Sequence, residues 1–287
     1  MIINWYPGHM AKAKRLIQEN LKIIDVVIEL VDARIPMSST NPMIKSLIGD
    51  KPSVVVLNKA DLADPAVLDE WVAYYKQQGR KVLALNSKGG KGVKQLISLV
   101  RSLAAPKLAR WKARGLKNRA VRTMILGIPN VGKSTLINKL SRRSAAKTAD
   151  KPGETKGKQW VHIGDQLDLL DTPGVLWPKL ENQVSAYRLA ATGAISDTVF
   201  DMETVIMQLI EQLSVQYPDE LKARYKLETL CDKPLDTIEA IGRKRGCIVS
   251  GGVVDLEKTY KLILKEFREG KIGAISLDRL GEWEGED

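Results

Sequence analysis

Apolar residues fall in short runs separated by amphipathic stretches through the first 180 or so residues. Strand-like runs lie at Ile24–Val31, Ser53–Leu57, Lys81–Leu85, Arg122–Leu126, Lys158–Ile163 and Gln166–Leu170. Between them, Ala11–Lys22, Pro65–Gln78, Val93–Leu103 and Lys133–Leu140 repeat apolar positions at helical spacing. This alternation predicts an α/β fold, a doubly wound and mostly parallel six-stranded sheet. Gly164-Asp165 between the last two runs predicts a hairpin, hence one antiparallel strand at an edge. From about Ser185 onward strand signals fade. The pattern there is helical, at Asp201–Gln216, Leu235–Lys244 and Asp255–Glu269, punctuated by Pro218, Pro234 and Gly251-Gly252. The division expected is a domain over 1–180, with a short N-terminal extension, and a smaller all-α domain over 181–287.

Charge adds a partner class. Lys and Arg number 45 against 34 Asp and Glu, a net +11 over 287 residues. Such an excess favours a polyanion, either nucleic acid or an anionic surface. Eight cations (Arg101, Lys107, Arg110, Lys112, Arg114, Lys117, Arg119 and Arg122) fall in a stretch without one acid. A solvated linker and an RNA contact both fit that stretch. Cys231 and Cys247 make no disulfide framework, and with only His9 and His162 there is no Cys/His metal spacing. This is a cytoplasmic profile. The segment Met1 to Arg15 has no apolar core of a secretion signal, and the apolar run Ile23–Val31 carries Asp25 and Glu29, so no membrane insertion is expected.

The loops after the strand-like runs carry the chemistry. Gly127, Ile128, Pro129, Asn130, Val131, Gly132, Lys133 and Ser134 match G-x-x-x-x-G-K-[ST] between a strand and a helix. In that setting backbone N–H groups turn inward around phosphate oxygens, and the helix N-terminus adds partial positive charge. Lys133 would reach the β/γ-phosphates and Ser134 would ligate Mg²⁺, with Val131, Gly132 and Thr135 completing the cradle. Asp171-Thr172-Pro173-Gly174 follows the run Leu167–Leu170. Its carboxylate can hold the magnesium, and the Gly174 N–H can sense the γ-phosphate. Thr155, in the polar loop between these elements, is the natural second magnesium ligand.

Asn58-Lys59-Ala60-Asp61 follows Val54–Leu57. An ionised Asp61 can accept from both N1–H and the 2-amino group of guanine, whereas adenine would leave that charge unpaired. Asn58 can bond the N7 edge and brace the loop, and the Lys59 stem can cover the ring. Asn86-Ser87-Lys88, after Lys81–Leu85, offers backbone N–H groups to the guanine O6. Together these loops favour GTP over ATP.

These four loops resemble those of the GTPase superfamily in a rotated order, because the base-reading loops precede the phosphate loop. With Asp32-Ala33-Arg34 after the first strand, the chain is similar to circularly permuted GTPases. Pro7-Gly8-His9-Met10 and the helical C-terminal part narrow the resemblance to the ribosome biogenesis GTPase A (RbgA/YlqF) family, over essentially the whole chain. That resemblance implies a GTPase acting late in assembly of the large ribosomal subunit. It would bind ribosomal RNA or pre-ribosomal particles in its GTP state and leave after hydrolysis, monomeric away from the ribosome. A nucleotide-dependent protein-binding switch and a tRNA- or membrane-directed GTPase are the alternatives.

Where Ras-type sites place a water-orienting Gln, this chain has Val175 and then Leu176. Slow turnover is expected unless another group enters. Asn130 resembles the Asn that helps hold a potassium ion in potassium-activated members, although it could equally brace its loop. His9 is the other candidate, if a Pro7-Gly8 turn carries its imidazole towards the site to orient or deprotonate water. His162 is expected to be structural, and Arg34 could touch nucleotide or brace the strand end.

A mobile basic join over the eight cations, beside the nucleotide site, is expected to contact RNA. In the helical part Leu256, Tyr260, Ile263, Leu264 and Phe267 should face the core. Lys258, Lys261, Lys265 and Arg268 would form a basic stripe, with Arg243-Lys244-Arg245 as a second cluster for RNA phosphates. Trp5, Trp111 and Trp160 could stack on bases, although packing in a core suits them as well. Because Asp171–Gly174 leads directly into the helical part, loss of the γ-phosphate should change that part's placement.

Overall fold

The computed structural model describes residues 7–115, 119–145, 160–172, 174 and 182–283. Six strands, β1 (Val26–Asp32), β2 (Ser53–Asn58), β3 (Lys81–Leu85), β4 (Val121–Gly127), β5 (Trp160–Ile163) and β6 (Leu167–Leu170), form one sheet in the order β3-β2-β1-β4-β6-β5. Every pairing is parallel except β5 with β6, the expected edge hairpin. Strands β1, β2 and β4 are buried almost throughout, which is why they read as continuous apolar runs rather than as alternation.

The acids in the first strand are paired inside the fold. Asp25 pairs with Lys107 and accepts from the Arg122 N–H (2.9 Å), and Glu29 pairs with Arg80. Among the described residues no helix is long and apolar enough to cross a membrane.

Helices α1 (Pro7–Leu21), α2 (Pro42–Ile48), α3 (Pro65–Gln77), α4 (Val93–Leu103), α5 (Ala105–Ala113) and α6 (Lys133–Ala145) accompany the sheet. Proline at the first helical position opens α2 and α3, whose Asn41 and Asp64 side chains accept from the first turn's N–H groups. Pro7 likewise begins α1, so the Pro7-Gly8 turn expected to deliver His9 is instead the opening turn of a helix.

The basic join is also corrected. Its residues 105–113 are helical, and Lys107 and Arg122 meet Asp25 at the start of β1, the end of the sheet opposite the nucleotide loops. Trp111 is buried, with Arg119 over its ring at 4.1 Å, and Arg122 lies over Trp160 at 5.8 Å. Arg110, Lys112 and Arg114 face solvent. Lys117 and Trp5 lie outside the described residues.

The C-terminal part contains α7 (Gln183–Ala191), α8 (Met202–Gln216), α9 (Pro218–Tyr225), α10 (Pro234–Lys244) and α11 (Leu256–Arg268). Its apolar faces share one core with the sheet: Leu189, Ile206, Leu209, Ile241 and Ile263 belong to the same buried cluster as Ile28, Val54 and Ile125. Tyr260, Ile263, Leu264 and Phe267 point into this core as expected, and Leu256 packs at its margin.

The basic clusters are thinner than their sequence suggests. Arg268 turns inward, Arg245 pairs with Glu266 (2.5 Å), Arg243 pairs with Glu239 (2.9 Å) and Lys261 pairs with Glu257. Lys244, Lys258 and Lys265 remain exposed.

After α11 the chain returns to the sheet. Ile275 N–H donates to the Leu62 carbonyl (2.9 Å) and Leu277 N–H to the Arg34 carbonyl (2.8 Å). Asp278 is fully buried; its carboxylate accepts from Ser38 N–H (2.8 Å), Ser38 Oγ (2.6 Å) and Arg188 Nη1 (2.9 Å).

Candidate nucleotide site

A parallel sheet brings the loops after its strands to one edge, and that edge is the usual binding crevice of such folds. Here the loops after β1, β2, β3, β4 and β6 all emerge there, so segments distant in the chain converge. Register sets the neighbours: Asp32 is opposite Asn58, Asn58 opposite Leu85, and Leu30 opposite Gly127. The phosphate-loop sequence starts at Gly127, whose Cα lies against the Leu30 carbonyl so closely that a Cβ would collide with it.

Asn58 joins three loops. Fully buried, it donates from Nδ2 to the Val131 carbonyl (2.7 Å) and accepts at Oδ1 from the Ser87 N–H (3.1 Å). A carbonyl only accepts and an N–H only donates, so the amide orientation is fixed by chemistry. Of its two expected roles, bracing is the one this geometry shows. Gly132, at φ +103, leaves no space for a Cβ beneath Asn58 Nδ2.

Lys59 also adopts positive φ (+60) and its Nζ lies 2.9 Å from Asp32 Oδ2. Asp32 takes a second cation, Arg34, through Nε (3.0 Å) and Nη2 (2.8 Å). Burial works against its charged form, but Arg34 and Lys59 outweigh it and hold this carboxyl far below the usual range. Of the two roles expected for Arg34, bracing is the one this geometry shows. Arg34 is buried, braces the end of β1 and lies over the Phe267 ring at 5.4 Å. Asp61 stands exposed on the same loop. Asn86 Oδ1 accepts from Gly89 N–H (2.7 Å), Ser87 is buried, and Lys88 is exposed, its carbonyl accepting from Lys139 Nζ at 3.3 Å.

On the phosphate side, Lys133 is 8% exposed and Nζ donates to the Ile128 (2.7 Å) and Gly127 (3.1 Å) carbonyls of its own loop. Burial lowers its pKa to about 8, opposed by the Asp171 carboxylate. Ser134 and Thr135 are exposed at the start of α6, where backbone N–H groups lack partners within the helix. Asp171 is half-buried beyond β6, and Thr172 Oγ1 donates to the Ile125 carbonyl at 2.5 Å, fixing that loop against β4. Gly174 closes on the phosphate loop: a Cβ there would lie 2.7 Å from the Pro129 Cα and 3.0 Å from Lys133 Nζ. Asn130, at φ +55, donates from Nδ2 to the Gly193 carbonyl (2.8 Å), a partner that nothing in the sequence announced.

His162 lies in the edge hairpin, its Nδ1 2.6 Å from Asp168 Oδ1, away from these loops. His9 falls in the first turn of α1, but its side chain is outside the described set. Thr155, Val175 and Leu176 lie outside the described residues. Among those described, no cluster of His, Cys, Asp and Glu could by itself hold a metal ion. A hydroxyl at Ser134 and a carboxylate at Asp171 are the hard oxygen donors that suit Mg²⁺ alongside phosphate oxygens.

Fold and loop order together define a P-loop GTPase in which the base-side strands precede the phosphate loop: a circularly permuted GTPase domain followed by a smaller helical one. Residues 122–235 match the family described as 50S ribosome-binding GTPase. The chain is 50% identical over 285 residues to "Ribosome biogenesis GTPase A" of Priestia megaterium, covering 99% of both chains. It is 32% identical to mouse "Mitochondrial ribosome-associated GTPase 1", covering 97% of this chain and 90% of that one. Among solved structures, GDP-bound YlqF (TM-score 0.68, 27% identity) covers 95% of this chain and 100% of its own. GNP-bound YlqF from T. maritima (TM-score 0.68, 28% identity) covers 93% and 98%. The chain belongs to the ribosome biogenesis GTPase A family. Membership makes it a GTPase of ribosome biogenesis.

Proposed function

We propose that this GTPase acts late in assembly of the large ribosomal subunit, binding ribosomal RNA or pre-ribosomal particles with GTP loaded and leaving after hydrolysis. The observation that carries the reading is the convergence of base-side and phosphate-side loops on one sheet edge, bridged by Asn58. Asp61 reads guanine, Lys59 covers the ring, and Asn86, Ser87 and Lys88 present N–H groups to its O6. Asn130, Val131, Gly132, Lys133, Ser134 and Thr135 cradle the phosphates. Ser134, Thr155 and Asp171 would hold Mg²⁺, which when bound neutralises charge on the phosphate oxygens. Gly174 reports the γ-phosphate.

For hydrolysis two aids remain open. His9 would orient or deprotonate water. Alternatively Asn130, whose Nδ2 is committed to Gly193, would offer Oδ1 to potassium. The helical part, 181–287, supplies RNA contacts through Lys244, Lys258 and Lys265. It shifts when the γ-phosphate is lost, and equal small-angle scattering shapes with GDP and a non-hydrolysable GTP analogue would remove that step.

The deciding experiment is GTP turnover with and without large-subunit particles, in potassium and in sodium. The reading expects stimulation by particles, salt-sensitive co-sedimentation and loss of stimulated turnover in His9→Ala with nucleotide affinity kept. Turnover indifferent to particles would remove the ribosomal reading. Unchanged stimulated turnover in His9→Ala would leave potassium as the surviving aid.

A further inference from the structure

Asn130 is the point where the phosphate loop meets the helical part, through its bond to the Gly193 carbonyl. Since that carbonyl can only accept, the amide nitrogen must face it, and the side chain is held in one orientation at a residue with left-handed backbone. Where Gly193 sits therefore bears on how the phosphate loop is shaped.

Gly193 terminates α7. Its N–H donates to the Ala190 carbonyl (3.0 Å) and the Ala194 N–H to the Leu189 carbonyl (2.9 Å), the two bonds of a Schellman turn, with Gly193 at φ +84. Two carbonyls of that last turn, Ala190's a second time, also accept from a residue far along the chain. Arg268 donates from Nε to Ala191 O (3.0 Å) and from Nη2 to Ala190 O (2.8 Å). Its Nη groups also bind both oxygens of Asp197 (2.7 and 3.1 Å). The guanidinium lies directly under the glycine: a Cβ there would be 3.2 Å from Arg268 Nε. Its outer edge lines an open cleft of about 350 Å³ shared with Lys261 and Lys265. Only a planar fork can make these four bonds together; an ammonium of the same charge has neither the reach nor the geometry.

We propose that Arg268 is a positioning residue for nucleotide binding. It fixes the Gly193 turn, and the turn fixes Asn130 in the phosphate loop. This rests on reading Gly127–Ser134 as the phosphate loop.

The test is a double-mutant cycle on the full chain, reading affinity for fluorescent GDP in wild type, Arg268→Gln, Asn130→Ala and the pair. Each single substitution should weaken binding roughly three- to tenfold, the range of one or two lost hydrogen bonds. The pair should be no more than about twofold weaker than the worse single, because both remove one coupling. Thermal midpoints separate positioning from general damage: Arg268→Gln should lower the midpoint equally in both backgrounds, while its effect on GDP vanishes once Asn130 is gone. Arg268→Lys, run beside it, should behave like Arg268→Gln and serves if the latter does not fold. Multiplicative effects in the pair, an unchanged affinity in Arg268→Gln, or full rescue by Arg268→Lys would overturn the proposal. A wild-type chain that does not bind GDP removes the phosphate-loop reading itself, a different result from a binding chain with multiplicative effects.

Discussion

The buried ammonium of Lys133 makes nucleotide affinity depend on pH in a calculable way. Away from nucleotide, burial pulls its pKa to about 8, with only Asp171 opposing. Beside phosphates the charged form is strongly favoured, so binding draws a proton onto Lys133 wherever the free protein has lost it. The sign follows: affinity is level below the free-state pKa and falls as pH rises through it. With that pKa at about 8, the deprotonated fraction weakens binding by a factor of about 1.1 at pH 7 and about 11 at pH 9. The net loss is about tenfold, or about 1.4 kcal/mol.

Isothermal calorimetry with GDP and magnesium provides the assay, titrated between pH 7 and about 9 so that guanine N1 keeps its proton. Near pH 8.5, binding heats in buffers of different ionisation enthalpy should report uptake of about 0.8 proton. Lys133→Arg, which cannot lose its proton in this range, should bind with a flat profile. A flat profile in wild type, or uptake that persists in Lys133→Arg, would refute the reasoning.

Three further substitutions separate the roles of burial and chemistry. Gly132→Ala should abolish measurable GDP binding by fluorescence titration and cost about 2 kcal/mol or more, since φ +103 and the Asn58 amide leave no room for its methyl; near-wild-type binding would contradict the bridge. Asp61→Asn should lower GDP affinity at least about a hundredfold while the thermal midpoint moves by less than about 1 °C, because the residue is exposed and its proposed role is to read the base. Asp278→Ala should cost about 3 kcal/mol by leaving the buried Arg188 with Glu282 (2.7 Å) as its one remaining carboxylate, lowering the midpoint by roughly 6 to 12 °C in calorimetry. A fall below about 2 °C would show that the C-terminal return contributes little.

All six strands and the edge hairpin were legible because each is a short apolar run closed by turn residues. Four helices, α2, α5, α7 and α9, show no clear period in the sequence; α9 is eight residues long with only Leu221 and Tyr225 buried. The final stretch of α7 is buried on every side, so its residues show no polar face and hence no period. The short α2 spans two turns, and α5 carries Leu108 and Trp111 as its only large apolar residues, so neither offers a long pattern. The site loops could be read because each keeps its chemistry within three to eight consecutive residues. Their bracing could not: Asn58 reaches Val131, 73 residues away, and Asn130 reaches Gly193, 63 away. The same holds for Asp32, which gathers Lys59 across 27 residues, and for Arg268, a surface cation by sequence whose Nε and Nη2 bind the end of α7. A side chain's donors and acceptors are visible in sequence; the long-range partner that satisfies them is not.

Why a rotated chain can keep the same site follows from where the base loop gets its shape. On one side Asn58 ties it to the phosphate loop through Val131. On the other, Leu62 accepts from Ile275, and Asp64 accepts from Tyr217 Oη (3.1 Å) while its N–H donates to Ser276 Oγ (3.2 Å). None of these bonds depends on which strand comes first in the chain; the Asn58 bond depends on strands lying side by side with their ends aligned, and the others on the helical part and the C-terminal return packing against the base loop. The helical part therefore forms a wall of the nucleotide domain as well as carrying basic residues, and a single buried cluster runs through both. A group that contacts the outer face of α11 meets a helix whose last residue, Arg268, is bonded two steps from the phosphate loop. The proposed shift of the helical part on loss of the γ-phosphate would then be a displacement within one continuous core rather than a hinge between separate bodies, because packed interiors transmit strain rather than absorb it.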